Sequence, residues 1–388
     1  MKAFEKLMRA FSERYGRAPR CFRAPGRVNL IGEHTDYNGG FVLPMAIDRS
    51  TFVAAAARED RLVNVHSLNR EESFTFDLDR PGEPRRGLWL DYVEGVARAL
   101  ESRGVVLRGA DSMLVSDVPE GAGLSSSAAL EVSVGLALAK VSGAEVDRVT
   151  LALAGQQAEH TYVGTMCGIM DQFVAALGRE GHALLIDCRT LEASPVPLDT
   201  RDAAIVITDT GVKHELSSSA YNERREECEQ GVRLLREFLP GIEQLRDVSV
   251  ADFERNAGRL PEVICRRCRH VVTEDARTLA AADALRRGRL EDVGRLMRRS
   301  HESLRDDYEV SCAELDFLAE TAWGLAGVVG SRMTGGGFGG STVSLVRRDA
   351  LDDYERMIKA EYARRFGHAP AIYVTEAGGG AEEIKDEG

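Results

Sequence analysis

One stretch limits the available folds more than any other: "SMLVSDVPEGAGLSSSAALEVSVGLALAK", residues 112–140. An apolar run with strand character gives way to glycines at 121 and 123 and to three serines, then passes straight into a strong helix former. A strand must therefore feed a helix through a turn whose backbone is free to aim its N–H groups inward. Serines cap helices, but three consecutive hydroxyls exceed what capping needs. The first turn of a helix carries unsatisfied donors and a partial positive charge, and phosphate is the ligand that uses both. This is not a Walker A loop, because no Lys-Ser/Thr pair follows the glycines. Charge on a bound phosphate must then be balanced by groups from elsewhere in the chain.

The rest of the pattern is mixed. Strands are expected at 50–59, 62–68, 111–117, 182–190 and 203–211, and helices at 90–102, 128–143 and 150–164. Phe4, Leu7, Met8 and Phe11 recur at helical spacing with acids opposite, so residues 1–16 read as an amphipathic helix and not a secretion signal. Residues 220–326 read as mostly helical, broken at Pro240 and Pro261. Strand and helix mix without a strict βαβ rhythm, which favours an α+β fold. At 388 residues the chain exceeds the size at which one core stops growing, so two domains with a cleft between them are expected, divided near Asp171 to Glu180. Only the tail from Gly378 reads as loose.

With 50 Lys+Arg against 62 Asp+Glu, the formal net charge is −12, which disfavours nucleic acid and anionic membrane as partners. The densest basic run, "RRCRHVV" around Arg266, reads as a solvated helix face. Seven scattered cysteines make no disulfide framework, and the pair Cys265 and Cys268 reads as free thiols. No window of eighteen apolar residues occurs. A soluble, cytoplasmic protein is expected.

Three more stretches carry chemistry. "GRVNLIGEHTDYNGGFVLP", residues 26–44, packs a cation, a histidine and two carboxylates between apolar residues and glycines. "RMTGGGFGGSTVSLV" contains GxGxxG at Gly335, Gly337 and Gly340, but these glycines lead into a strand where a dinucleotide fingerprint must open a helix. A loop that approaches a ligand or another loop closely fits better, with a plain turn as the alternative. In "AEHTYVGTMCGIMDQF", Glu159 and Asp171 sit among small and apolar residues, and Asp171 is the better candidate for a buried, working acid.

In their order and spacing, "GRVNLIGEHTDYNGG", "GAGLSSSAALE", "CGIMDQF" and "MTGGGFGGS" resemble the galactokinases of the GHMP family of small-molecule kinases. The likeness extends to "VKHELSSSAYNERREEC" and "HESLRDDYEVS" and so covers nearly the whole chain. It implies a two-domain α+β GHMP kinase fold, with a ribosomal protein S5 domain 2-like N-terminal domain over 1–175 and a mixed α/β C-terminal domain over 176–388. It also implies transfer of the γ-phosphoryl of ATP to the anomeric hydroxyl of α-D-galactose. By this resemblance Asp171 is the base, Arg27 stabilises developing charge, and Glu33, His34, Thr35, Asp36, Gly168, Asp171 and Tyr221 hold the sugar. Gly121, Ala122, Gly123, Leu124, Ser125, Ser126 and Ser127 surround the phosphates, Ser67 and Trp89 lie on the adenosine side, and Ser127 with Glu159 binds Mg2+. The implied partners are galactose and ATP, for a monomer that binds neither nucleic acid nor membrane.

The physics of the residues agrees. A sugar offers a donor on every hydroxyl, so its site must be rich in acceptors, and Glu33 with Asp36 supplies two that are expected to be ionised. That pair would repel an anionic substrate. Tyr221, beside "NERREE", reads equally as a helix-surface tyrosine. Two other functions stay open: a kinase of another neutral sugar, such as N-acetylgalactosamine or arabinose, and a non-catalytic galactose sensor, against which the undamaged "GLSSSAAL" argues.

Overall fold

The computed structural model describes residues 2–213 and 217–385, so His214, Glu215 and Leu216 of the "VKHELSSSAYNERREEC" stretch lie outside the described residues. The opening amphipathic run forms α1 (Lys2–Tyr15), whose Leu7 and Phe11 are buried against Cys21, Ala54 and Met113. Then come β1 (Arg20–Asn29), β2 (Phe41–Val42), β3 (Pro44–Ala57), β4 (Leu62–Ser67), β5 (Glu72–Asp77), α2 (Leu90–Ser102) and β6 (Ala110–Ser116). The helices α3 (Ser126–Val141), α4 (Arg148–Ala158) and α5 (Met170–Leu177) precede β7 (His182–Asp187), β8 (Glu192–Pro197) and β9 (Ala203–Lys213). The helical stretch resolves into α6 (Ser217–Leu235), α7 (Val250–Asn256), α8 (Glu262–Arg286), α9 (Leu290–Asp306) and α10 (Ala313–Trp323). The chain closes with β10 (Val328–Thr334), β11 (Gly339–Arg347), α11 (Leu351–Phe366), β12 (Ala371–Thr375) and β13 (Glu382–Ile384).

Among the described residues the strands form three sheets, in the orders β13-β1-β3-β6-β4-β5, β10-β11-β9-β12 and β2-β7-β8. All neighbours are antiparallel except β4 and β6. This mixture of a largely antiparallel sheet with helices on one face is the α+β architecture expected. One core cluster lies where α2, α3, α4 and α5 cover the large sheet. A second joins Val28, Leu30 and Met45 from the early strands to Ile205, Ile207 and Val343 from the late ones, so the two halves of the chain share buried surface.

Two readings need correction. Over its described residues, 378–385, the tail is no loose end: β13 pairs with β1, and Glu382 and Glu383 form ion pairs with Arg23 and Arg20. Its charged composition suits an edge strand, and its partner lies near the other end of the chain. The basic run is not simply a solvated face either, because Arg267 is buried and held by Glu227 and Glu309. Charges enter a core when partners meet them there.

Gly26 shows how the fold sets up the site. A Cβ there would lie 2.7 Å from the Leu124 carbonyl oxygen, so only glycine lets β1 run against the turn that precedes α3. The register of β1 on β3 shifts between Pro25 and Arg27, and this bulge re-aims the side chain of Arg27.

Candidate active site

Arg27 ties the site together. Its Nε and Nη2 donate to Oδ1 and Oδ2 of Asp171, both at 2.7 Å, a bidentate fork of the strong kind. Its Nη1 donates to the Gly123 carbonyl at 2.6 Å and its main-chain N–H to the Leu124 carbonyl at 3.1 Å. One residue thus fixes the acid at the start of α5 to the turn before α3. Ser125 donates its hydroxyl to Asp171 Oδ2 as well. Ser125 has φ 56°, an uncommon left-handed conformation for a residue other than glycine, and makes no capping bond. The surplus serine hydroxyl therefore serves the acid and not the helix.

Asp171, Arg27, Glu33, His34, Asp36, Gly168 and Tyr221 line one cavity. Glu33 is buried, with Oε1 accepting from the Gly335 N–H at 2.7 Å and Oε2 from the Asn29 amide. Burial pushes its carboxyl up to about 7, against the pull of Arg332. Burial and then the charge of Asp171 push Asp36 up to about 6, against the bond from the Tyr37 N–H. The two acids expected to be ionised are thus poised close to protonation, and hydroxyls donating to them favour the charged form. Gly168 has a steric reason to be glycine: a Cβ there would fall 1.8 Å from Asp36 Oδ2.

His34 also adopts a positive φ, 62°. Its Nε2 lies 3.2 Å from the Gly336 carbonyl, which can only accept, so Nε2 carries the proton and Nδ1 accepts from the Tyr37 hydroxyl at 2.7 Å. Burial lowers His34 to about 3, leaving the ring neutral at ordinary pH. It packs among Tyr37, Tyr221 and Tyr308. Thr35 is buried outside the cavity lining; its hydroxyl closes the loop onto the Gly32 and Phe41 carbonyls.

A second cavity runs from Glu159, Thr165, Tyr221 and Gly336, which it shares with the first, to Tyr92, Gly121 and Ser127, which it shares with a third. Gly123 also lines it. The glycine-rich hairpin between β10 and β11 forms one wall, and the Ser341 hydroxyl donates to the Ala122 carbonyl at 2.6 Å. Close approach of one loop to another is what the hairpin glycines permit. The side chains of Ala122 and Leu124 are buried in the core, so only their backbone can face a ligand. The third cavity is lined by Ser67, Trp89, Ser126, Ser127 and Leu130 among others, and Trp89 is fixed by a bond from its Nε1 to Glu72 at 2.6 Å.

Glu159 follows α4 in a π-helical turn, is buried, and accepts a hydrogen bond from Ser127. Burial pushes it up to about 7. A carboxyl and a hydroxyl on a cavity wall are the donor set that Mg2+ takes, since this ion keeps waters and phosphate oxygens for its remaining positions. No group of three or more His, Cys, Asp or Glu is gathered as a metal cage among the described residues.

Sequence reasoning missed the groups that support this site from a distance: Arg332, Asn29, Tyr308, His270, which meets the Glu33 carbonyl at 3.1 Å, and Glu131, bonded by Gln172. For Arg332 the available signal was a charged residue inside an apolar strand.

The sequence matches the family described as galactokinase galactose-binding signature over residues 9–57, with GHMP kinases N terminal domain over 91–179 and GHMP kinases C terminal over 281–364. A galactokinase of Chloroflexus aggregans is 52% identical over 372 residues, covering 96% of this chain and 95% of its own. The chain belongs to the galactokinase family. A galactokinase of Roseiflexus sp. is 48% identical, covering 98% of this chain and 97% of its own. The crystal structure of Lactococcus lactis galactokinase complexed with galactose superposes with a TM-score of 0.95 at 38% identity, covering 98% of this chain and all of that one. The Methanococcus jannaschii mevalonate kinase, at 16% identity, a TM-score of 0.65, and coverage of 93% and 99%, shares the fold alone.

Proposed function

We propose that this galactokinase-family protein transfers the γ-phosphoryl group of ATP to the anomeric hydroxyl of α-D-galactose, giving galactose 1-phosphate and ADP. The observation that carries the reading is the position of the Arg27–Asp171 pair, which lines the acid-rich cavity while Arg27 also holds the turn at Gly123. Sugar and triphosphate would meet there. The carboxylates of Glu33 and Asp36 accept from the sugar hydroxyls, and losing one such charged bond costs about 1.5–3 kcal/mol, enough to separate epimers.

In this reading the anomeric oxygen attacks the γ-phosphorus, the bond from that phosphorus to the β,γ-bridging oxygen breaks, and the proton passes to Asp171 as the attacking oxygen becomes acidic. Arg27 keeps Asp171 aligned and lends positive charge as it develops on the transferred group. Backbone N–H groups of residues 121–127 and the start of α3 cradle the phosphates. Magnesium beside Ser127 and Glu159 would neutralise phosphate charge. Ser67 and Trp89 line the cavity assigned to adenosine.

Cys167, Cys188, Cys228, Cys265, Cys268 and Cys312 are free thiols, which supports a reducing cytoplasm as the place of action, and we assign the protein there as a monomer. No helix of the described residues is long and apolar enough to cross a membrane. A panel of neutral sugars in an ATP-consumption assay tests the substrate. Turnover is expected with galactose; turnover with N-acetylgalactosamine or arabinose but not with galactose would overturn the assignment.

A further inference from the structure

Beneath the cavity assigned to the sugar lies a ladder of buried charges that the transfer step does not use. Glu274 on α8 accepts from the Gly32 N–H at 3.0 Å, from the Ser300 hydroxyl at 2.5 Å and from Arg277 at 2.6 Å. Next along is Arg332 on β10, whose side chain is entirely buried. Its Nη1 lies 3.4 Å from Glu33 Oε1 and 3.3 Å from the Asn29 carbonyl, and Asn29 donates its amide to Glu33 Oε2. The other two nitrogens, Nε and Nη2, have no hydrogen-bond partner among the described residues.

A cation so buried and so sparsely bonded is a poor device for stabilising a fold, since apolar replacements of buried ion pairs are often neutral or favourable. Its hydrogen bond to the Asn29 carbonyl and its ion pair with Glu33 both go to the segment that carries Glu33. Charged groups face Glu33 from each neighbouring element: Arg27 from β1, Glu274 from α8 and Arg332 from β10, and Arg332 opposes the effect of burial most strongly.

We propose that Arg332 is a positioning residue for sugar recognition: its guanidinium, counterbalanced by Glu274, aims the Glu33 carboxyl at the sugar cavity and favours its charged form. This rests on the reading of that cavity as the sugar site. Without Arg332, burial favours the protonated acid, which gives up acceptor capacity that the sugar hydroxyls need.

The test is galactose affinity of the full-length protein, measured by calorimetry without nucleotide. Glu33→Gln is expected to weaken galactose binding about tenfold, as the loss of a charged hydrogen bond should. Arg332→Lys, whose point charge cannot reproduce the guanidinium, is expected to weaken it about tenfold and to leave KM for ATP within about twofold. Adding Arg332→Gln to Glu33→Gln should change the affinity less than about twofold, because the group through which Arg332 acts is already gone. That double variant leaves neither member of the pair as an unpaired ion, so the comparison stands even if Arg332→Lys does not fold. A further loss of more than about twofold in the double variant, or parallel loss of galactose and ATP affinity in Arg332→Lys, would overturn the proposal. Undiminished galactose binding by Glu33→Gln would instead remove the sugar-site reading, and the proposal with it.

Discussion

The two ends of the adjoining cavities, the one proposed for the sugar and the one proposed for the phosphates, are built on opposite plans. At the sugar end, Glu33, His34 and Asp36 are largely buried side chains, each held by partners and each shifted by burial toward its neutral form. At the phosphate end the wall is mostly backbone, glycine and hydroxyl, and Gly121 and Gly123 both have positive φ. On the proposed reading the difference follows from the ligands. A neutral polyol has no charge to be drawn in by, so its site must be prebuilt from acceptors aimed at individual hydroxyls. A triphosphate brings its own charge and finds donors in a helix N-terminus and a turn, which cost the fold little to provide.

Substitutions at the two ends should therefore fail differently. The largest effect belongs to the point where the ends meet. Asp171→Ala should lower kcat by about 10²–10⁴, the usual worth of a general base, while ATP binding measured by calorimetry stays largely intact. Undiminished turnover would remove Asp171 from its role. Next is Gly168→Ala, which drives a methyl group into Asp36 Oδ2. KM for galactose should rise roughly a hundredfold, about the cost of two weakened charged hydrogen bonds, with KM for ATP nearly unchanged in steady-state kinetics. Equal loss at both ends would show that the ends are not separable.

How far the site could be read in advance follows the same division. The strand–turn–helix proposed for the phosphates was legible as a structure because strand, glycines, serines and helix follow one another in about thirty residues, and a local pattern carries a local structure. The end proposed for the sugar was legible only as a motif. Glu33 takes one of its bonds from Gly335, 302 residues downstream, and its counter-charge from Arg332, and no periodicity in residues 26–44 announces either. The tail failed for a related reason: β13 looks like a solvated end until Arg20 and Arg23 are laid beside it. Composition describes what a segment is made of, and pairing across the chain decides whether it is ordered.

A smaller effect separates the ends by their protons. Burial holds Glu33 and Glu159 at about 7 and Asp36 at about 6, so near pH 6.5 the free protein binds protons on all three that an ordinary carboxyl would have lost. Ligands that favour the carboxylate lower these values, and protons leave. Galactose alone should release roughly half a proton or more from Glu33 and Asp36, and nucleotide with Mg2+ a comparable amount from Glu159, read as the dependence of binding heat on buffer ionisation enthalpy. Release should vanish above about pH 8.5, where all three are already ionised. Proton uptake by either ligand would contradict the assignment at that end. The smallest effect is expected for Ser341→Ala, which removes the bond from the hairpin to the Ala122 carbonyl. Thermal unfolding should show a loss of about 1 kcal/mol, with a rise in KM for ATP of at most about fivefold and none for galactose.

The most direct measurement is a crystal structure of the protein with galactose, Mg2+ and a non-hydrolysable ATP analogue together. The anomeric oxygen should lie about 2.6–3.2 Å from an Asp171 carboxylate oxygen, with the γ-phosphate on its far side over the backbone of residues 121–127. Galactose bound away from Glu33 and Asp36, or a triphosphate lodged remote from that turn, would contradict the account.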